Sequence, residues 1–457
     1  MRHITTLLLF LFFISDTFAQ QIPSSDKELE KNFQIPPQHA RPQTWWHWMN
    51  GNVTEEGIKA DLKALKDIGM GGVQILEIGA SIPQGPVGTQ DKRQMKMYKT
   101  AFETADELDM ELVMHNCPGW SSSGGPWVEP KHSMKQIVWT EKVVAGNGEK
   151  QSILLPRPFT KLGFYRDTYV LAFPTLKGEE VAAEQLASIW LNGKHLERQK
   201  IADGDWTTIQ QIKGEKGNKP VVQFNFSSPY TISALTVVPA IVPAIRKMAV
   251  SGILQASDNG KDFKDISTFR CGNSFSLEAQ ACISFNAVRA KYFRLVFNQE
   301  AIIRDIELTA AARIHNYPEK AGYANISNPP LDLKRSVSLE SVIMPEQIVD
   351  LHAMMLPDGT LEWEVPEGNW TIMRFGYTAT GQGNIVPTTS GDGLEIDKLS
   401  KRAVDIHFDA FFGTIEKNLG SVLGKKLNRT FIDSYEVGMQ NWTDNLPAEF
   451  IARKGYD

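Results

Sequence analysis

A strand–helix alternation that starts, gives way to a purely β-patterned block and then resumes constrains this chain more than any other feature. In TEEGIKADLKALKDIG, Thr54 is an N-cap, Ile58, Leu62, Leu65 and Ile68 recur at helical spacing, and Gly69 is the stop. GGVQILEIG follows as a strand, QMKMYKTAFETADELDM as a helix, ELVMHNCPGW as a strand and SMKQIVW as the start of a further helix. Strands separated in this way by helices pair in parallel, with the helices packed outside.

From about Thr140 to Ala310 the pattern changes to short runs of Val, Ile, Phe and Thr broken by the turn signals NGK, SDNGKDF and NGEK, which predicts an antiparallel β-sandwich. ILQASDNGKDFKDI followed by AKYFRLVF resembles paired strands of discoidin-type, galactose-binding-like sandwiches, which bind sugars or serve only to pack. NYPEKAGYANISNPP reads as a linker, and DGTLEWEVPEGNWTIMRFGYTATG as a β pair turning at Pro366-Glu367-Gly368-Asn369. After the Gly-rich GQGNIVPTTSGDGLEIDKLS, the helix KRAVDIHFDAFFGTIEKNLG, the strand LNRTFIDSYE and the helix start LPAEFIARKGYD restore the alternation. The expected fold is α/β plus β: one (β/α)8 barrel interrupted by a sandwich. Its parts are a signal peptide at 1–19, barrel at 36–140, the insertion at 141–312, linker and β segment at 313–369, and barrel again at 370–457. Three strands before the insertion and about two after it fall short of eight, so the barrel is expected to be incomplete in this chain and truncated at its C-terminus.

The first residues combine Arg2, an apolar run from Leu7 to Ile14 and the small-residue site Thr17-Phe18-Ala19, the pattern of a secretory signal. That run is far below the ~20 residues that cross a bilayer, and no later segment is longer, so the mature protein is expected to be secreted, periplasmic and without a membrane partner. The 48 basic and 53 acidic residues give a formal net charge of −5 without runs of one sign, which argues against nucleic acid as a partner. Cys271 and Cys282 either bridge or stay independent thiols; Cys117 is expected to be a buried structural thiol.

Loops at the C-terminal ends of barrel strands converge on one pocket. The positions there are Trp45 to Asn50 after the first strand, Glu77 after the second, His115, Asn116 and Trp120 after the third, and Asp433, Tyr435, Glu436 and Trp442 after the last. Trp46 and Trp48 are read as pointing to opposite sides of their strand, one into the pocket and one into the core. Indole faces stack on the C–H patches of a pyranose while Asn, His and carboxylates bind its hydroxyls, so an oligosaccharide or polysaccharide is the expected partner. Neither G-x-x-x-x-G-K-[ST] nor G-x-G-x-x-G is present in the Gly-rich stretch, which argues against a nucleotide, and the absence of H-E-x-x-H argues against zinc. Abundant oxygen ligands are compatible with Ca2+, with no ligand assigned. Asp397 and Lys398 either form an ion pair at the pocket edge or merely open the next helix, with Ser400 as its cap. His407 lies inside that helix and is read as packing.

The stretches RPQTWWHWMNGNVTEEGIKADLKALKDIGMGGVQI, HNCPGWSSSGGPWV, FIDSYEVGMQNWT and EFIARKGYD together resemble glycoside hydrolase family 106, the secreted bacterial α-L-rhamnosidases. The resemblance implies a catalytic (β/α)8 barrel with sandwich modules and calcium-assisted binding of rhamnose. It further implies inverting hydrolysis of terminal α-L-rhamnosyl linkages in plant or pectic glycans, with Glu436 as general acid. A carboxyl between Tyr435 and Val437, near Trp442, is expected to be partly desolvated and so to hold its proton. Inversion also needs a base roughly 6.5–9.5 Å away; the family's base is expected beyond Asp457, and Glu77 and Glu395 are read as ligand or substrate contacts. Without that base the chain would be a non-catalytic carbohydrate-binding protein.

Overall fold

The computed structural model describes residues 26–176, 179, 185–215, 217–240, 250–271, 280–323, 341–420, 427 and 429–456. The expected signal at 1–19 and the linker residues 324–330 lie outside the described residues. Among the described residues no helix is long and apolar enough to cross a membrane.

Four parallel strands form the sheet that carries the site: β1 (Gln43–Met49), β2 (Gly72–Ile78), β3 (Glu111–His115) and β18 (Thr430–Phe431), in that order. Helices α2 (Glu55–Asp67) and α3 (Lys92–Glu107) connect the first three. Each starts on a side-chain cap: Thr54 Oγ1 accepts from the Gly57 amide at 3.1 Å, and Asp91 Oδ1 from the Gln94 amide at 2.7 Å. Every second strand residue faces these helices. Trp46, Trp48, Val73, Ile75, Leu112 and Met114 share one core with Ile58 and Leu62 of α2 and Tyr98 and Phe102 of α3.

The segment SMKQIVW is not a helix. It enters β4 (Lys135–Gly146), whose Ile137, Val138 and Trp139 suit a pleated strand. β5 (Lys150–Leu154) and β6 (Tyr165–Pro174) follow, and then a nested sheet made of β7 (Leu186–Leu191), β8 (Lys194–Leu196), β9 (Gln210–Ile212), β10 (Val221–Pro239), β11 (Ser251–Ser257), β12 (Lys264–Arg270), β13 (Ala281–Phe297) and β14 (Ala301–Thr309). This eight-stranded sheet is antiparallel throughout, in the order β12-β11-β13-β10-β14-β9 with β7 on β10 and β8 on β7. All eight strands supply one hydrophobic core, including Ile189, Phe224, Leu254, Phe269, Phe293 and Ile303.

β15 (Val349–Asp350), β16 (Thr360–Glu364) and β17 (Gly368–Ala379) then close back on the strands that preceded the nested sheet. β17 pairs with β4 from Gly368↔Gly146 to Ala379↔Lys135 and with β6 on its other edge, while β16 pairs with β5. The expected 141–312 insertion therefore does not follow the strand pairing: β4 to β6 belong with β15 to β17. β16 and β17 also do not pair with each other, although the turn between them is where it was expected.

The Gly-rich stretch after β17 crosses the C-terminal ends of β2 and β3. The Gly79 amide donates to Val386 O at 3.0 Å, the Trp120 amide to Ile385 O at 2.8 Å, and the Met134 amide to Glu395 O at 3.0 Å. Close approach makes glycine necessary: a Cβ on Gly79 would sit 2.0 Å from Pro387 O, and one on Gly393 2.0 Å from Gly125 C. Ser400 then caps the helix Lys401–Phe408, accepting from the Ala403 amide at 3.4 Å. After a π turn, the helix Thr414–Leu419 buries Ile415 against the outer core.

Candidate functional site

β3 ends in a polar hub. His115 is buried, its Nδ1–H donates to Cys117 O at 2.9 Å, and its Nε2 accepts from the Asp433 amide at 3.3 Å. These bonds select the neutral Nδ1–H tautomer, consistent with burial lowering its pKa. His115 therefore fixes where the chain leaves β18 rather than reaching outward. Cys117 is buried and donates from Sγ to Ser121 O at 3.0 Å, as a structural thiol would. Cys271 and Cys282 are also free and buried, so they are two thiols and not a bridge.

Asn116 Nδ2 donates to Ser122 O at 2.5 Å, and Asn116 O accepts from His407 Nε2 at 2.9 Å. His407 Nδ1 accepts from Trp127 Nε1 at 3.1 Å, and its ring stacks parallel to Phe411. Burial pushes the His407 pKa down to about 4. It is a packing residue, as read.

Two carboxylates of the Gly-rich stretch organise the other wall. Asp397 is fully buried; Oδ2 accepts from Lys135 Nζ and from Thr443 Oγ1, both at 2.7 Å, and Oδ1 from the Leu399 amide at 3.1 Å. It thus pins the chain after Glu436 to β4. Its cation is Lys135 and not Lys398, so of the two readings of Asp397 and Lys398 the ion pair is not formed, while the Ser400 cap of the other is. Lys398 instead lies 2.5 Å from Glu395 Oε2, which also accepts from Ser123 Oγ at 2.6 Å, and its ammonium stands 5.2 Å from the centre of the Tyr435 ring.

Five buried polar atoms here have no hydrogen-bond partner among the described residues: Asn116 Oδ1, Trp120 Nε1, Ser122 Oγ, Glu395 Oε1 and Trp442 Nε1. An unmet buried polar atom costs about 1–3 kcal/mol, so such a concentration needs a reason, and a polar ligand is the simplest. Trp442 lies with its ring 6.0 Å from Tyr377, and Tyr435 is largely exposed. Asp433 accepts from Ser434 Oγ at 3.2 Å. Glu436 is half-buried beside the buried Val437 and has no hydrogen bond among the described residues.

Four of the sequence-selected positions are elsewhere. Trp46 and Trp48 do not point to opposite sides; two apart on a strand, they share a face, and both lie in the outer layer. Trp46 Nε1 donates to Asp61 of α2 at 3.1 Å, and Trp48 stacks on Tyr98 of α3 at 5.4 Å. Glu77, on the same face, accepts from Gln94 Nε2 at 2.8 and 2.7 Å and from Tyr98 Oη. Burial raises its pKa to about 7. Asn50 is a clamp: Nδ2 donates to Ile82 O at 2.6 Å and to Thr389 Oγ1 at 3.0 Å, and Oδ1 accepts from the Thr389 amide at 2.8 Å. It borders a cleft of about 310 Å3 with Ala80, Ser81 and Val386, and all four adopt left-handed backbone, which is costly for the β-branched Val386.

For the Ca2+ expected from the resemblance, the carboxylates offer little. Glu77 and Asp397 are committed to protein donors on both oxygens and Glu395 on one, and among the described residues no three His, Cys, Asp or Glu side chains are grouped to hold a metal ion. Among the described residues no carboxylate cage for calcium is formed, and no step is drawn through a cation.

Lys135, Ser122, Gln440 and Thr443 were not singled out from the sequence; a lysine opening a β run and hydroxyls in a loop carry no chemical signature by themselves. A protein of Formosa agariphila named "Putative beta-glucuronidase" is 29% identical over 450 residues, spanning 98% of this chain and 27% of that protein. A solved rhamnosidase from Novosphingobium sp. PP1Y is similar in structure, with a TM-score of 0.77 and 30% identity, over 94% of this chain and 42% of that one. The chain thus spans less than half the length of either. A family model described as alpha-L-rhamnosidase, that of glycoside hydrolase 106, matches residues 34–457, and the chain belongs to that family.

Proposed function

We propose that this chain is the sugar-binding and acid-bearing part of a secreted, periplasmic glycoside hydrolase that cleaves terminal α-L-rhamnosyl linkages of plant or pectic glycans with inversion. In this reading the four parallel strands belong to a (β/α)8 barrel and the nested sheet is a β-sandwich. One observation carries it: the five unmet polar atoms at Asn116, Trp120, Ser122, Glu395 and Trp442, in the segments around the ends of β3 and β18. Indole, amide, hydroxyl and carboxylate groups together suit a polyhydroxylated ring.

Glu436 acts as general acid, handing its proton to the glycosidic oxygen as the bond to the anomeric carbon breaks. With no internal hydrogen bond to hold it, its carboxyl is available to a substrate oxygen. Glu395 Oε1 accepts a sugar hydroxyl, Trp120 and Trp442 donate from their indole N–H groups, and Asp433 and Tyr435 border the same ring. Inversion requires a second carboxylate to activate water, and this reading assigns that role to no described residue.

The test compares rhamnosides with different leaving groups. A nitrophenolate leaves without a proton, whereas an alkoxide does not. Glu436→Gln is expected to lower kcat/KM on an alkyl α-L-rhamnoside by about 10²–10⁴ and much less on the nitrophenyl compound. Equal losses on both would remove Glu436 from the acid role. Saturable rhamnoside binding without turnover by the unaltered chain would favour a binding protein instead.

A further inference from the structure

A second cleft lies where the nested sheet meets β4 and the Gly-rich stretch, in a part of the molecule the mechanism does not use. It has a volume of about 110 Å3. Trp139 of β4 and Trp206, between β8 and β9, both line it and meet edge to face with centroids 6.1 Å apart. Tyr323 braces Trp139 at 6.1 Å and donates from Oη to Ile137 O at 2.8 Å. Both indoles are half-buried, so each leaves part of its ring to the cleft. Gln136, Gln280 and Gln382 add amides from three different parts of the chain.

Gln280 is the telling residue. It is 7% exposed; Nε2 donates to Tyr317 Oη at 2.5 Å, while Oε1 is buried without a partner among the described residues. A buried amide oxygen held at the wall of an aromatic cleft is an acceptor waiting for a hydroxyl or N–H donor. Indole faces and an amide acceptor together match a pyranose, which has apolar C–H patches on its faces and hydroxyls at its rim.

The cleft also adjoins the candidate acid's own segment. Met439 lines it, and Asn441 ties that segment to the walls: Oδ1 accepts from the Ile137 amide and Nδ2 donates to Ala321 O, both at 2.9 Å. We propose that this cleft is a second carbohydrate subsite, which takes one pyranose ring of a glycan against the wall formed by Trp139, Trp206 and Gln280. That a ring binds there stands on the cleft alone; that it belongs to the glycan being cleaved rests on the function proposed above.

The full chain, Trp206→Ala and Gln280→Leu are titrated with methyl β-D-galactoside, methyl α-D-galacturonide and methyl α-L-rhamnoside, following tryptophan fluorescence. At least one glycoside is expected to give a saturable phase whose Kd rises tenfold or more in both variants. Gln280→Leu keeps the volume of the side chain but loses the Nε2 donor to Tyr317 Oη, so its thermal midpoint is expected to fall by only a few degrees and the chain to stay folded at the titration temperature, which separates lost recognition from lost folding. No saturable phase with any of the three, or the same Kd in the full chain and in Gln280→Leu, would overturn the subsite. Turnover of nitrophenyl α-L-rhamnoside is measured beside it and is expected to stay within twofold in both variants. If the full chain lacks turnover while the titration still separates it from the variants, the proposed function falls and the cleft stands.

Discussion

Glu77 and Glu395 are both glutamates near the ends of the parallel strands, 6% and 0% exposed, yet they are opposite cases. Both oxygens of Glu77 are used by α3, through Gln94 and Tyr98. Glu395 is used on one oxygen, by Ser123 and Lys398, and its other oxygen has no partner among the described residues. The difference follows from the strand period. Glu77 shares the helix-facing side with Val73 and Ile75, where Gln94 and Tyr98 of α3 are at hand to satisfy it, whereas Glu395 comes from a loop laid over the strand ends. Residue type and burial therefore do not mark a site; the unfilled half of a hydrogen-bond complement does.

The largest expected effect tests the satisfied side of this contrast. Lys135 and Asp397 form a fully buried pair at 2.7 Å. Lys135→Met leaves Asp397 charged and without its cation, and the loss is expected to be about 3–5 kcal/mol in urea unfolding. Adding Asp397→Asn should recover part of it, because the amide oxygen still accepts from the Leu399 N–H while Nδ2 donates to the Thr443 hydroxyl, which turns to accept, and no buried charge is left. A loss under 1 kcal/mol in the single variant would show that the pair does not hold the 440–443 segment.

Next comes Glu77 itself. Its pKa is about 7 in the fold against an ordinary 4.5, so the folded chain keeps a proton that the unfolded chain has lost. This contribution to stability is complete below pH 4.5 and is lost as pH rises to 7, about 3 kcal/mol in all. His407 runs the other way: held at about 4 against 6.5, it contributes fully above pH 6.5 and loses about 3 kcal/mol as pH falls to 4. The two windows overlap, so they offset each other between pH 4.5 and 6.5. Subtracting the urea-midpoint profile of Glu77→Gln from that of the unaltered chain should isolate a decline over pH 4.5–7, and His407→Gln should isolate a rise over pH 4–6.5. A flat difference for Glu77→Gln would mean that Glu77 is ionised in the fold.

What the sequence disclosed follows the range of the interaction. The helix from Thr54 was legible because its cap and apolar period are local, and β2 and β3 because they alternate with helices. β4 was misread as a helix because its identity comes from β17, a partner far along the chain with which it pairs over its whole length. Trp46 and Trp48 obey the strand period, but rings at Trp45 and His47 occupy the other face too, so composition could not say which face was core. At the site, the positions after β3 and β18 were legible because strand ends converge in any such sheet. Lys135, Gln440 and Thr443 were not, since their role depends on Asp397 arriving from another segment.

The smallest effect is the sharpest test of the contrast, and it uses two adjacent serines. Ser123 Oγ donates to Glu395 Oε2 at 2.6 Å, whereas Ser122 Oγ is buried with no partner. Ser123→Ala strips a donor from a buried carboxylate and is expected to cost about 1.5–3 kcal/mol. Ser122→Ala removes only an unmet hydroxyl, so stability should stay within about 0.5 kcal/mol of the unaltered chain or rise. If that hydroxyl contacts sugar, the same variant should weaken rhamnoside binding about threefold to tenfold, the worth of one hydrogen bond of about 1 kcal/mol. Should Ser122→Ala destabilise as much as Ser123→Ala, the hydroxyl is already satisfied in the folded chain, and the unmet atoms around β3 lose their meaning as a binding surface.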